Sequence, residues 1–256
     1  MAANAHAHWT EALEAWLAPF LARLKPAARQ HSAVVYLQGL TLPGERNSIE
    51  PLAQRVAPGA VQQLHHVIST SRWPTVPVEA ELAKAADRLV GGTDAVLAVD
   101  DTALVKKGRH SVGVAHPYCG QLGKQANCQS LVSLILARAE VPVGMGLRLL
   151  LPKDWACDAE RRRAGVPEAV VLQPKWHIAL DEIQRVIGQG VRFGGIVADA
   201  EYGKVAAFRL ASRAGPHSGG RSSDAAADGR GAAAGACGGA GTVPQAGQEG
   251  PRRGVR

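Results

Sequence analysis

Two apolar runs, Ala95-Val96-Leu97-Ala98-Val99 and Gly195-Ile196-Val197-Ala198, each lead directly into an aspartate, Asp100 and Asp199. Short apolar runs bounded by polar and turn-forming residues have the length of buried strands rather than of core helices. A helix-length segment between two such strands constrains the chain toward a layered α/β fold, because parallel neighbours in one sheet need a long crossover connection. If the two strands are neighbours, Asp100 and Asp199 meet at their carboxyl ends. Carboxylates converging from separate strands can hold Mg²⁺, and pairs of such ions serve many phosphoryl-transfer enzymes. A lone aspartate at a strand end is more simply a turn former or a helix cap, so it is the pair that favours a metal site.

The first 92 residues read as helical. From Trp9, apolar residues recur at Leu13, Trp16, Leu17, Phe20, Leu21 and Leu24, which keeps one helix face apolar; Pro19 is a kink point and Pro26 a terminus. Asn47 and Ser48 are good N-cap types for a helix carrying Ile49, Leu52 and Val56 to the Pro58-Gly59 break. Val61, Leu64, Val67 and Ile68 continue at helical spacing. Two short helices across a tight turn can dock on DNA, with Arg46, Arg55, His65 and His66 offered to phosphates, or can simply pack on each other. A further helix is expected over Val78–Val90, stopped by Gly91-Gly92.

Residues 93–213 read as the α/β unit. After the first strand, Lys106-Lys107-Gly108 marks a turn, with strands expected at His110–Tyr118, Gln129–Arg138 and Gly146–Leu151, a turn over Ala139–Val143 and a helix marked by Trp176, Leu180, Ile183 and Ile187. Phe193–Ala198 is the last strand. The order is an antiparallel meander, a crossover helix and a parallel neighbour. Residues 214–256 hold 12 of the 29 glycines, and Val243 and Val255 are their only large aliphatic or aromatic residues, so they read as a disordered tail. The inferred sheet still calls for another strand and helix, which also fits a lost reading frame.

The formal net charge of +7 favours a polyanionic partner. Lys106, Lys107, Arg109 and Lys124 form a basic set after Asp100 that suits phosphates, or a solvated turn. Gly120–Lys124 lacks the spacing of a nucleotide-binding loop. The four cysteines show no CxxC pair and follow no secretory signal, and His110, His116, Cys119 and Cys128 match no common zinc-ligand spacing. No apolar run approaches the roughly 18 to 20 residues that cross a bilayer, so the chain reads as soluble, with no membrane partner.

Several motifs in one order carry a family resemblance: Val99-Asp100-Asp101-Thr102, Lys106-Lys107-Gly108, Ser111-Val112-Gly113-Val114, Tyr118-Cys119-Gly120, Gly123-Lys124 and Asn127-Cys128-Gln129. Together they resemble the first catalytic block of bacterial insertion-sequence transposases of the DDE superfamily. Leu151-Pro152, Trp155, Glu160-Arg161-Arg162-Arg163 with Gly165-Val166-Pro167, and Ala198-Asp199 with Tyr202-Gly203 are similar to its later blocks. The resemblance spans residues 35–212. It implies an RNase-H-like mixed sheet behind a helical, DNA-binding N-terminal region, with Asp100 and Asp199 as catalytic acids that bind Mg²⁺ or Mn²⁺. Asp101 falls at the variable position of the Asp-x-Thr pattern and Tyr202 packs near the second acid. The implied partners are the DNA of element ends and target and further copies of the chain, and the implied location is the bacterial cytoplasm, at the nucleoid when DNA-bound.

One departure matters. The family continues to a helix bearing a catalytic Glu, whereas the acids after Glu201 are Asp224, Asp228 and Glu249, all in the Gly/Ala-rich tail. The expectation is therefore a transposase that cleaves and joins DNA strands by descent but is catalytically incomplete as encoded, with a truncated or frameshifted, incomplete core. Alternatives are a non-catalytic DNA-binding fragment and a simple metal-dependent nuclease.

Overall fold

The computed structural model describes residues 2–44, 46–157, 165–167 and 169–213; the expected tail and the Glu160–Arg163 run lie outside them. The periodic run from Trp9 forms α1 (Ala2–Leu21), with Pro19 in its last turns. Pro26, expected only to end that helix, is the N-cap of another, α2 (Ala27–Thr41). No clean apolar periodicity announces α2: Ala33 to Leu37 form a continuous run, and packing alone selects Ser32, Ala33, Val35 and Gly39 as the buried side.

The expected pair across a tight turn is α3 (Ile49–Val56) and α4 (Val61–Ser69), joined by a 3₁₀ turn at Pro58–Ala60. Leu52, Ala53 and Leu64 pack with Val35 of α2 into a small core. Leu52 lies so close to Gly39 that a Cβ there would overlap it, which is why α2 needs glycine at that point. α5 (Thr75–Val90) ends at Gly91, whose N–H bonds the Asp87 carbonyl at 2.9 Å. Although the sequence groups it with the N-terminal helices, α5 lays Ala83, Ala86 and Val90 on the sheet.

That sheet contains β1 (Val96–Val105), β2 (Val114–Ala115), β5 (Cys128–Arg138), β6 (Val141–Leu149) and β7 (Gly195–Ala198); β3 (Tyr118–Cys119) and β4 (Lys124–Gln125) form a separate hairpin. β5 is antiparallel to both β1 and β6, and β7 is parallel to β1, so the meander with one parallel neighbour is as expected. Its details differ in three places. β1 does not stop at Val99 but continues through both aspartates to Val105, because β5 pairs with it all the way to Val105↔Cys128. The strand expected over His110–Tyr118 is broken: Gly113 sits at φ 78° in a turn closed by Val114 N–H to the Ser111 carbonyl at 3.1 Å. The turn before β6 shrinks to Ala139-Glu140, and Pro142 is accommodated because β6 is an edge strand.

The helices α6 (Lys153–Cys157), α7 (Lys175–Gly188), α8 (Ala200–Gly203) and α9 (Ala206–Arg213) complete the described chain. Alternation along the strands points Leu97, Val99, Val132, Leu134 and Leu136 to one face, where they form the main core with α5 and with Ile183 and Val186 of α7. Arg148 of β6 ties the two helices together on that face, donating to both Glu79 oxygens at 2.7 and 2.6 Å and to Glu182 at 2.7 Å. The opposite face carries Val96, Ala98, Ile135, Leu147 and Val197 by the same register. Neither α5 nor α7 covers it, and Leu147 and Val197 are 49% and 54% exposed. No described helix is long and apolar enough to cross a membrane.

Candidate functional site

Asp100 and Asp101 are consecutive strand residues, so they point to opposite faces of β1. Asp100 continues the Val96-Ala98 row onto the uncovered face and is exposed. Its Oδ1 accepts the Asp101 N–H at 2.7 Å, and its carbonyl accepts the Ser133 hydroxyl from β5 at 2.9 Å. Asp101 continues the Leu97-Val99 row toward the helices.

β7 brings the second aspartate alongside. Gly194, at the entry to β7, donates its N–H to the Ala95 carbonyl at 2.8 Å, and a Cβ there would overlap the Thr93 carbonyl, so only glycine lets the chain approach β1 so closely. The parallel register ends at Val99↔Ala198, and Asp100 and Asp199 are the next residue on each strand. Asp199 is also the N-cap of α8: its Oδ1 accepts the N–H groups of Glu201 and Tyr202 at 3.0 and 3.1 Å. Capping therefore takes up Oδ1 of Asp199 and leaves the residue beside Asp100. Each carboxylate has one oxygen held by backbone, and its other oxygen has no hydrogen-bond partner among the described residues.

Asp101 is committed elsewhere. Its Oδ2 pairs with the Lys175 ammonium at the start of α7, and its Oδ1 accepts the Tyr202 hydroxyl at 2.7 Å. Burial and then this hydrogen bond hold the Tyr202 phenol far above its usual pKa, so it stays a donor. Burial disfavours the Lys175 ammonium, but the bond to Asp101 and that carboxylate's charge outweigh it and raise its pKa. Lys175 also lies 3.9 Å from Glu201, whose side chain is otherwise exposed. Tyr202, 2% exposed, thus bolts α8, and with it Asp199, to the strand that carries Asp100. Tyr202 was legible in the sequence as a neighbour of the second acid. Lys175 was not, because nothing in the Pro174-Lys175-Trp176 run signals a partner 74 residues away.

The remaining sequence candidates fall outside this cluster. Lys106 begins the loop beyond β1, about 20 Å along the strand from Asp100 at 3.3 Å per residue. Lys107 and Arg109 follow in that loop and Lys124 lies on β4; all three are exposed, and none of the four is in an ion pair among the described residues. Arg55, offered by the sequence to phosphates, is a fastening instead: it donates to the carbonyls of Arg46 and Gly39 and to the Asn47 side chain at 2.9, 3.0 and 3.3 Å. Cys119 and Cys128 are buried free thiols, and His116 pairs with Asn127 at 2.9 Å. No group of three or more His, Cys, Asp or Glu able to hold a metal occurs among the described residues. Two carboxylates with unengaged oxygens nevertheless match the hard-oxygen preference of Mg²⁺ or Mn²⁺, with water completing the shell.

The chain is 28% identical over 182 residues to a protein of Microchaete diplosiphon named "Probable transposase for insertion sequence element IS701". The match takes in 71% of this chain and 45% of that protein, so the chain spans under half the length of its relative. No solved structure matches it. The model of the DDE superfamily endonucleases matches residues 19–227, which include both strands, both aspartates and the helices α2 to α5, and the chain belongs to that family.

Proposed function

We propose that this chain is a DDE-type transposase in which Asp100 and Asp199 are the first two of three acids that bind Mg²⁺ or Mn²⁺ for cutting and joining DNA strands. The observation that carries this reading is the parallel β1–β7 register, which sets the two aspartates side by side. The strand order β6–β5–β1–β7, with only β7 parallel to β1, is that of an RNase-H-like sheet and supports the same reading.

Asp100 and Asp199 would hold the metal, each with one oxygen fixed by backbone N–H groups and the other turned to the ion. A bound pair of such ions supplies a Lewis acid for the attacking oxygen and another for the leaving oxygen of a phosphodiester. Lys175 and Tyr202 keep Asp101 out of the first coordination shell and keep α8 against β1. Lys106, Lys107, Arg109 and Lys124, in no ion pair among the described residues, are the proposed contacts to the DNA backbone. Element ends and target DNA are the proposed substrates, and copies of the chain the proposed partners.

The third acid has no candidate among the described residues, since Glu201 sits two residues from Asp199 and faces Lys175. The chain by itself is therefore proposed to bind DNA and metal without cleaving. The test combines plasmid nicking and strand-transfer assays with Mn²⁺ binding followed by electron paramagnetic resonance. Weak Mn²⁺ binding that Asp100→Asn removes, salt-dependent DNA binding and no nicking are expected. Nicking abolished by Asp100→Asn would overturn the incomplete-site reading. Nicking without strand transfer would make the chain a nuclease instead.

A further inference from the structure

Away from the aspartates, a groove of about 670 Å³ runs between α2 and α4. Its polar lining is Arg29, His31 and Ser32 from α2, Gln62, Gln63 and His66 from α4, with Ser71 beyond, and it includes no aspartate or glutamate among the described residues. A guanidinium only donates, a glutamine amide offers two N–H groups, and each imidazole carries an N–H in either tautomer. The surface is therefore weighted toward hydrogen-bond donors.

One of these donors is buried without an acceptor, and a second sits on a buried residue with none. The Nε of Arg29 is fully buried and has no hydrogen-bond partner among the described residues. Ser32 is 5% exposed, lines the groove and makes no side-chain hydrogen bond among the described residues. A buried donor left unpaired is costly, and an oxyanion is the chemistry that satisfies several at once. The start of α2 adds to this: its N-cap is Pro26, no side chain caps it, and Pro26 and Ala28 form part of the groove wall. Glutamine and serine with one arginine make a weak cation site and a good phosphate site.

We propose that the α2–α4 groove binds a phosphate oxyanion, supplied by the DNA backbone. The DNA source rests on the function proposed above; the phosphate chemistry does not. It also moves the phosphate contact of the helical region to Arg29, which lines the groove, because Arg55 spends both terminal nitrogens on Arg46, Gly39 and Asn47 and its equally unpaired Nε lies outside the groove lining.

The test uses the full chain with Arg29→Met and Ser32→Ala, the second keeping the helix intact should the first impair folding. One arm measures anisotropy of a labelled duplex across a salt series. Losing the Arg29 charge lowers the slope of log affinity against log salt by about one and weakens binding about five- to tenfold, equally for unrelated sequences, whereas Ser32→Ala weakens binding without changing the slope. The other arm follows thermal unfolding with inorganic phosphate, which is expected to raise the melting temperature of the wild-type chain more than that of either variant. Wild-type slope and affinity in both variants, with equal responses to phosphate, would overturn the proposal and leave DNA binding standing. Phosphate stabilisation confined to the wild type, with no DNA binding at low salt, would keep the phosphate site and overturn its DNA source.

Discussion

Tyr202→Phe tests the lock between β1 and α8. The substitution keeps the buried ring and deletes only the hydroxyl that donates to Asp101 at 2.7 Å. Hydrogen bonds to charged acceptors contribute about 1.5–3 kcal/mol. Asp101 is partly exposed and keeps Lys175, so water and the ammonium recover some of the loss. A destabilisation of about 1.5 kcal/mol, or about 3–6 °C in melting temperature for a domain of this size, is expected. Urea unfolding at pH 7 followed by circular dichroism measures it. The double variant with Asp101→Asn should be less destabilised than the sum by about 1 kcal/mol, since the two residues share one bond. An additive double variant, or a single variant within about 0.3 kcal/mol of wild type, would refute the lock. Mn²⁺ binding adds a second check: if Asp101 rather than Asp100 were the ligand, Asp101→Asn would remove it and Asp100→Asn would not.

Leu97→Ala, at a fully buried position near the start of β1, should cost about 3 kcal/mol in the same unfolding assay, because the packed core relaxes only partly around the cavity. Arg55→Ala should lower stability by about 1–2 kcal/mol through its lost bonds to the α2 end and the 46–47 loop, while leaving the salt dependence of DNA binding unchanged. The hydrogen bond and charge of Arg148 hold the Glu79 carboxyl below its ordinary value of 4.5. That contribution is therefore fully present above about pH 4.5 and is lost as the pH falls through the lower folded value, so acid unfolding should begin later in the wild type than in Glu79→Gln.

What was legible in the sequence is the part governed by local pattern. Helical spacing located α1, the α3–α4 pair, α5 and α7, and the glycines after α5 and α7 ended them as expected. Apolar runs located the cores of β1, β5 and β7, and their order around one helix was enough to infer that β1 and β7 are parallel neighbours. The family blocks selected Asp100 over Asp101 by position in a motif, and the structure separates the same two residues by an independent cause, the alternation of side chains across a strand.

Long-range pairing decided the rest. Asp100-Asp101-Thr102 is a polar triplet that reads locally as a strand end, yet it stays extended because β5 supplies hydrogen-bond partners beyond it. That extension carries Lys106 and its neighbours away from the aspartates. Lys175 and Tyr202 meet Asp101 only through the crossover, and Arg55 turns from an expected phosphate contact into a fastening only once α2 folds against α3. Sequence by itself determined which segments are strands and helices and which acids stand at their junctions, because those follow from periodicity within a few residues. Which face of β1 each aspartate occupies and what engages it were left to the tertiary structure, because those depend on partners far away in the chain.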